Sequence, residues 1–298
     1  MFRYCLLIFF ISTLVFSGCS KSADDKPLFM ATTYPVYVIL AELTGDAAKV
    51  DYIVPTGASP HTYLPKPGDI KKTSKALGLF YIADNFDGWI SGIPTENKIK
   101  LLDMIPDDNL IYFSCNHDHS MDGETHNHNS EIDPHFWLDP LTVKVMIGQL
   151  TEKLALLFPA GEKQFKANAE KFSNELDEIN KQLESILGEL EGKQLFLHHP
   201  SFNYLINRYN LVYAGSIEES PGKEPTPKFL TKLVGDIKLS GVRSIFSEPQ
   251  LNGKTARVIA REAGVNLFEI NPEGNSTTMN TYRDLLIKNA QIINKALK

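Results

Sequence analysis

The sequence has few cysteines and offers no cysteine pair for a disulfide framework in the mature chain. It contains 3 cysteines among 298 residues. Cys5 lies in an amino-terminal apolar segment that we expect to be removed on export, and Cys19 stands at the expected cleavage site, which leaves Cys115 alone. A small disulfide-stapled domain is therefore excluded, and the fold has to be stabilised by a buried apolar core.

Three further absences narrow the class of protein. The formal net charge is -6 at pH 7, so there is no excess of basic residues to favour nucleic-acid binding. Beyond the amino terminus, no apolar segment reaches the roughly 18 residues that a bilayer-spanning helix needs. The sequence also lacks a His-Glu-x-x-His run, a Gly-x-Ser-x-Gly elbow and a phosphate-binding loop. We therefore expect no nucleic-acid partner, no multi-span membrane protein and no enzyme.

The amino-terminal segment has the pattern of an export signal. Arg3 precedes an apolar run from Leu6 to Phe16, which is too short to span a bilayer but suits a signal peptide. The run leads into Ser17-Gly18-Cys19, which resembles a bacterial lipoprotein processing site; an ordinary signal peptide cleaved elsewhere is the alternative. We expect a signal peptide over 1–18, lipidation of Cys19 and a polar tether over 19–27. The exported protein would then be lipid-anchored to the cell envelope, in the periplasm or on the outer face of the cytoplasmic membrane.

Short apolar, β-branched runs alternate with helical patterns in both halves of the chain. The predicted strands are Leu28–Thr33, Val50–Val54, Gly78–Ala83, Ile99–Leu102, Gln194–His198, Leu211–Tyr213, Ser244–Ser247 and Val265–Ile270. Such alternation is typical of βαβ units, in which helices cover both faces of a parallel sheet. We therefore predict an α/β fold of two Rossmann-like lobes, the first over 28–158 and the second over 192–298.

A long amphipathic helix is predicted between the lobes. Its apolar positions follow each other at the spacings of four and three that mark one face of a helix. They are Phe165, Ala169, Phe172, Leu176, Ile179, Leu183, Ile186 and Leu190. We expect one rigid helix over 159–191, on the order of 45 Å long at about 1.5 Å per residue, which joins the lobes and restricts hinge motion. A coiled-coil dimerisation helix is the alternative; since the lobes can cover the stripe, we expect a monomer.

Three of the histidines lie at connections between predicted strands and helices. His61 follows a predicted strand, His135 precedes a predicted helix and His199 directly follows a predicted strand. Open α/β sheets bind ligands in the crevice outside the carboxyl ends of their strands, so two facing lobes can bring these imidazoles together. Three imidazoles suit zinc and leave one coordination position open. Taken singly, a histidine in such a position is more often an ordinary loop or core residue than a ligand.

Four short motifs follow one another along the chain. They are Gly57-Ala58-Ser59-Pro60-His61, Asp133-Pro134-His135-Phe136-Trp137-Leu138-Asp139-Pro140, His199-Pro200-Ser201-Phe202 and Phe246-Ser247-Glu248-Pro249-Gln250. This ordered set resembles that of the zinc/manganese ABC-transporter solute-binding proteins, which include the adhesin lipoproteins. The resemblance covers essentially all of the mature chain. It implies two α/β lobes joined by one helix, His61, His135 and His199 as ligands of a metal ion in the interlobe cleft, and delivery of that ion to a membrane permease powered by an ATPase.

The residue at the third ligand position favours zinc. Manganese-type relatives tend to have a carboxylate where this chain has His199, and an imidazole is a softer ligand than a carboxylate. We therefore expect the chain to capture Zn2+ for a high-affinity importer. Mn2+ or iron is the alternative within the family, and a surface adhesin or a zinc-dependent hydrolase is the alternative from another class.

The motifs leave the fourth ligand open. The family usually has an aspartate-proline pair after the last strand, where this chain has Asn271-Pro272. The fourth ligand could be water, the amide oxygen of Asn271 or a carboxylate from elsewhere. We expect the lost carboxylate to disfavour hard ions such as Mn2+ further. His198, beside His199, should face the other side of its strand and serve in packing or in hydrogen bonding to a ligand.

A histidine-rich loop over 115–131 is a second candidate metal site. Its histidines lie among acidic and small polar residues, with no hydrophobic periodicity: His117, His119, His126 and His128. Such a segment can hold a second, weaker ion, to which Cys115 could contribute. Zinc-type relatives often carry a loop of this kind in this place. The alternative is a solvated insertion with incidental metal affinity.

Overall fold

The computed structural model describes residues 26–113, 131–223, 225–275 and 277–298. The predicted signal peptide, the lipidation site Cys19, Cys115 and the four histidines of the histidine-rich loop lie outside the described residues. The predicted limits of the tether, the lobes and the linking helix as domains stay predictions.

Each lobe is built on a four-stranded parallel sheet. The first sheet consists of β1 (Leu28–Ala31), β2 (Lys49–Tyr52), β3 (Gly78–Tyr81) and β4 (Lys98–Lys100). The second consists of β5 (Gln194–Leu197), β6 (Val212–Ser216), β7 (Ser244–Ser247) and β8 (Asn266–Glu269). The strand orders are β2-β1-β3-β4 and β6-β5-β7-β8, so the same topology recurs in both lobes. In each sheet the connections that follow the two central strands lead to opposite edges of the sheet. This opens a crevice at the carboxyl ends of the central strands.

Helices fill the connections. They are α1 (Tyr34–Thr44), α2 (Pro67–Thr73), α3 (Asp84–Asp87), α4 (Pro140–Leu157), α5 (Glu162–Leu187), α6 (Asn203–Arg208), α7 (Pro227–Ser240), α8 (Gly253–Ala263) and α9 (Tyr282–Leu297). Two of them begin with a side-chain cap and a proline, because the Asp139 and Thr226 side chains cap α4 and α7 and a proline follows each cap. The α/β architecture of two lobes and one long connecting helix is confirmed. Among the described residues, no helix is both long and apolar enough to cross a membrane.

The long helix α5 carries one apolar stripe that is buried within the chain. The buried side chains of the stripe are Phe165, Phe172, Leu176, Ile179, Leu183 and Leu187. The helix packs against α4, α1 and α9. The stripe that would form a coiled-coil seam is thus covered by intramolecular partners. At 26 residues, α5 is about 39 Å long and is extended by a short 3-10 turn at each end.

The two lobes share a continuous apolar core. The buried cluster runs from Phe29 and Phe80 in the first lobe, through α5, to Leu197 and Phe246 in the second. A separate, smaller core lies in the second lobe between its sheet and α7 and α8. Because protein interiors are close-packed and resist shear, the shared core fixes the position of one lobe relative to the other.

Helix α6 adds polar bonds between the lobes. Arg208 at its end donates from Nε to Asp139 Oδ1 and Oδ2, at 3.1 and 3.0 Å, and from Nη2 to Asp139 Oδ2 at 2.6 Å. Asp139 is the buried cap of α4, so one carboxylate both starts that helix and holds the opposite lobe. Hydrogen bonds between charged groups are stronger than those between neutral groups, and the bidentate arrangement adds geometric specificity.

Asp87 joins the ends of two central strands. Its carboxylate accepts hydrogen bonds from the Thr32 hydroxyl at 2.5 Å and from the backbone N–H groups of Ile82 and Ala83 at 3.0–3.1 Å. The side chain is fully buried, and burial raises the pKa of Asp87 from 3.8 to about 6, against the opposing effect of these hydrogen bonds. The carboxyl ends of β1 and β3 are therefore linked by the hydrogen bonds of one buried carboxylate.

We expect Leu183→Ala to lower the free energy of unfolding by about 2–5 kcal/mol, because it leaves a cavity in the core that both lobes share. Equilibrium urea unfolding measures this loss. The exposed neighbour Lys181→Ala is the control and should change stability by about 0.5 kcal/mol or less. A loss below about 1 kcal/mol for Leu183→Ala would contradict the shared core.

Asp87 should make the folded state less stable as the pH rises. Its pKa is about 6 in the folded chain and 3.8 as the model value, so between these values the folded chain binds more protons than the unfolded one. The contribution is therefore complete below the lower value and is lost as the pH rises through about 6. The unfolding free energy of the wild type minus that of Asp87→Asn should fall by up to about 3 kcal/mol between about pH 4 and pH 7. A difference that does not vary with pH would refute this.

Candidate metal site

Three imidazoles from separate loops meet between the lobes. His61 lies in the loop after β2, His135 in the segment before α4, and His199 in the loop after β5. One ligand atom of each ring lies within 4.8 Å of the other two. The structure therefore brings together the three residues that the sequence singled out. It differs in one detail, since the segment that carries His135 follows an isolated bridge at Ile132 and not a strand of the sheet.

His135 is oriented by a buried carboxylate. Asp133 Oδ1 accepts the backbone N–H of His135 at 2.9 Å and lies 2.7 Å from its Nδ1. Asn203 of the other lobe donates to Asp133 Oδ2 at 3.0 Å. We assign the ring proton to Nδ1, because its partner is an acceptor, and this leaves the lone pair of Nε2 free for a metal ion. Burial raises the pKa of Asp133 to about 7, which the hydrogen bonds from His135 and Asn203 counteract.

His199 has a similar carboxylate behind it. Its Nδ1 lies 2.9 Å from Glu248 Oε1, and the Ser201 hydroxyl donates to the same oxygen at 2.8 Å. The 2.9 Å contact has the distance of a hydrogen bond but not the angle, so we treat it as an electrostatic contact. The Nε2 atoms of His199 and His135 lie 3.3 Å apart. Two nitrogens bound tetrahedrally to zinc at about 2.0–2.1 Å would be about 3.3–3.4 Å apart.

His61 completes the group from a more exposed position. The turn that carries it is held by a hydrogen bond from Trp89 Nε1 to the Pro60 carbonyl at 2.9 Å, and its ring lies edge-on against Phe86. Nε2 of His61 is buried and has no hydrogen-bond partner. A buried polar atom without a partner costs free energy, so this nitrogen is free to coordinate an ion.

Burial keeps two of the three histidines, His61 and His135, neutral. Burial lowers the pKa of His61 and of His135 well below 6.5, and charge on the neighbouring His199 lowers both further. Neutral imidazole is the form that binds a metal ion. His61 and His135 therefore offer lone pairs, and not competing protons, at neutral pH.

The cavity between the imidazoles is small. Its volume is about 10 Å³, and its walls include the three histidines together with Glu248, Gln250 and Glu273. That is about the space of one water-sized sphere. A single ion fits in this space, whereas an organic solute does not.

Two buried carboxylates at the cavity were not predicted as site residues. Glu248 and Glu273 are 2% and 8% exposed. Burial raises the pKa of Glu273 well above its ordinary value, and the charges of Glu248 and Asp87 raise it further. Glu248 belongs to a motif that the sequence analysis singled out, and Glu273 follows Asn271 by two residues. The sequence signal that could have identified them is their position, because both are acidic residues that closely follow a predicted strand.

Two residues that the sequence analysis considered, Asn271 and His198, do not line the cavity. Asn271 is not among its wall residues, and its Oδ1 accepts hydrogen bonds from Gln250 Nε2 at 2.7 Å and from the backbone N–H groups of Glu273 and Gly274 at 3.1 Å. His198 is fully buried, and its Nε2 lies 3.6 Å from Glu218 Oε1. Neither ring nitrogen of His198 forms a hydrogen bond.

Comparisons with known proteins agree with this architecture. The zinc-binding lipoprotein AdcA of Streptococcus pneumoniae (strain ATCC BAA-255 / R6) is 28% identical over 91% of this chain and 55% of its own length. The chain therefore spans about half the length of the AdcA relatives that it matches. The high-affinity zinc uptake system protein ZnuA of Bacillus subtilis (strain 168) is 25% identical over 85% of this chain and 81% of its own length.

A solved structure and a family model cover nearly the whole described fold. A crystal structure of ZnuA superposes with a TM-score of 0.77 and 28% identity, covering 92% of this chain and 100% of that one. The family model described as "ZnuA: Zinc-uptake complex component A periplasmic" matches residues 30–296. The resemblance drawn from the four motifs is thus confirmed for the family, and the chain belongs to the ZnuA family of periplasmic zinc-uptake components.

Proposed function

We propose that this chain is the extracytoplasmic solute-binding component of an ABC importer and that it captures one Zn2+ ion through His61, His135 and His199. The observation that carries the proposal is the approach of two buried Nε2 atoms to 3.3 Å. If both lone pairs face each other, this contact is repulsive until a cation lies between them. The spacing matches that of two nitrogens on one tetrahedral zinc ion.

The donor set supports zinc over manganese. Imidazole nitrogens suit zinc, whereas Mn2+ prefers carboxylate, carbonyl and water oxygens. The relatives AdcA and ZnuA are named for zinc binding and zinc uptake. The family name describes a component of an uptake complex and not an enzyme. Delivery of the ion to a permease and its ATPase, and anchoring through lipid on Cys19, belong to the same proposal.

Glu273 is our proposed source of the fourth ligand. It lies on the wall of the cavity, and its buried carboxylate is repelled by Glu248. A dication would relieve this repulsion, and carboxylate oxygens bind zinc at about 2.0–2.2 Å. Within the described residues, the cluster whose ligand atoms all lie within 4.8 Å contains only the three histidines. The carboxylate of Glu273 therefore has to draw closer to complete the coordination.

Replacing any one of the three histidines by alanine should raise the Kd for Zn2+ by more than about 100-fold, since loss of a ligand exceeds the 10- to 100-fold cost of losing a residue that supports one. Competition with a chromophoric chelator measures the Kd and the stoichiometry, and Mn2+ is titrated in parallel. All of these variants, and the wild-type reference, are made in a chain in which the four histidines of the loop over 115–131 are replaced by asparagine. These replacements remove the imidazoles of the loop as competing ligands.

The control for the histidine series is His198→Gln, which replaces the imidazole beside His199 that does not line the cavity. It should leave the Kd within about threefold of the wild type. The proposal fails if the wild type binds no zinc, or if His61→Ala, His135→Ala and His199→Ala all bind it with unchanged Kd. Tighter binding of Mn2+ than of Zn2+ would replace zinc by manganese as the cargo.

Glu273→Gln should raise the Kd for Zn2+ by about 10- to 100-fold, less than loss of a histidine because water can occupy the vacated position. The visible absorption spectrum of the Co2+ complex should change as the ligand is exchanged. Glu262→Gln, at an exposed site on α8, is the control and should leave both quantities unchanged. A Co2+ spectrum and a Kd that Glu273→Gln does not alter would remove Glu273 from the site.

A further inference from the structure

The turn after β8 is built around the side chain of Asn271. Its Oδ1 accepts the backbone N–H groups of Glu273 and Gly274, each at 3.1 Å, while its Nδ2 donates to the Gly274 carbonyl at 3.1 Å. Gly274 has a φ of +69°, a left-handed conformation that favours glycine. The amide of Asn271 therefore acts both as acceptor and as donor within residues 271–274.

The backbone of this turn is held from two other directions. Asn289 on α9 accepts the N–H of Asn271 and donates to its carbonyl, both at 2.8 Å. Trp137, beside the His135 motif, donates from Nε1 to the Pro272 carbonyl at 2.8 Å. With residues 271 and 272 fixed in this way, the side chain of Glu273 is directed to the wall of the cavity.

The side-chain amide of Gln250 is consistent with the orientation of the Asn271 amide. Because Asn271 Oδ1 faces two backbone N–H groups, Gln250 has to present its Nε2 to that oxygen, at 2.7 Å. Oε1 of Gln250 is left buried and without a hydrogen bond, on a residue that lines the cavity. Each polar atom of the Asn271 side chain is thus engaged within the protein, and coordination of an ion by Asn271 would break the turn.

We propose that Asn271 is a positioning residue that holds Glu273 at the metal site, and that this position requires an amide. The inference rests on the proposed role of Glu273. Aspartate at 271 would keep the acceptor but lose the donor, and would set a carboxylate oxygen about 3.1 Å from the Gly274 carbonyl. It would also add a negative charge two residues from Glu273, whose backbone N–H that side chain accepts. An aspartate at position 271 would therefore weaken zinc binding in this chain.

Asn271→Asp should raise the Kd for Zn2+ by about 10- to 100-fold, the usual cost of losing a residue that orients a ligand. The Co2+ spectrum of the variant should resemble that of Glu273→Gln more than that of the wild type. Asn275→Asp is the matched control, because Asn275 accepts the backbone N–H groups of Thr277 and Thr278 in the next turn and does not line the cavity. It adds the same charge and should change the Kd by less than about threefold.

A double variant separates positioning from ligation. If Asn271 acts through Glu273, then Asn271→Asp in a Glu273→Gln background should cost less than about threefold beyond Glu273→Gln alone. Unchanged or tighter zinc binding by Asn271→Asp overturns the inference, as does an equal loss in both backgrounds. If Asn271→Asp does not fold, Asn271→Ser, which keeps one donor and one acceptor, is measured by the same cycle.

The outcomes distinguish this inference from the proposed function. Loss of zinc binding in the three histidine variants, together with wild-type binding by Asn271→Asp, leaves the function in place and removes only the role of Asn271. Wild-type binding by Glu273→Gln removes the roles of Glu273 and Asn271 together. Zinc binding that survives all three histidine substitutions removes the function itself.

Discussion

The site depends on the close approach of two ring nitrogens that belong to opposite lobes. Nε2 of His135 and Nε2 of His199 are 3.3 Å apart, and a displacement of the lobes by one ångström would take this pair out of the range for tetrahedral zinc. The shared core along α5 and the bonds from Arg208 to Asp139 resist such a displacement. The long helix therefore does more than connect the lobes, because its buried stripe sets the distance on which the coordination geometry depends.

The three imidazoles differ in how firmly they are held. His135 and His199 are buried, and each has a carboxylate close to its Nδ1, whereas His61 is partly exposed on a turn held by Trp89 and packed on Phe86. Since the lobes share one core, the access of an ion to the cavity depends more on the loop of His61 than on separation of the lobes. At the proposed metal site, two fixed imidazoles and one more exposed imidazole would combine a preorganised geometry with a way in and out.

The sequence predicted well those features that depend on local pattern. Alternating runs placed the strands of both sheets within a few residues, and the spacing of apolar residues along α5 predicted its buried face. The sequence did not predict Glu273 at the wall of the cavity, because no local pattern distinguishes it from other acidic residues that follow a strand. Only the hydrogen bonds of the Asn271 amide show that the turn directs the next acidic residue to the cavity. The pairing of Asp139 with Arg208, 69 residues apart, likewise depends on packing that local pattern does not contain.

Charge balance explains why a neutral residue at 271 is compatible with a dication site. Three imidazoles bring no negative charge, and a buried dication needs compensation in a medium of low dielectric constant. Carboxyl groups stand where such compensation is needed, those of Asp133 and Glu248 behind His135 and His199 and that of Glu273 at the cavity wall. Each is buried, so each carries a cost of desolvation that the ion reduces on binding. A further carboxylate at 271 would raise that cost in the metal-free protein without adding a ligand that the turn could present.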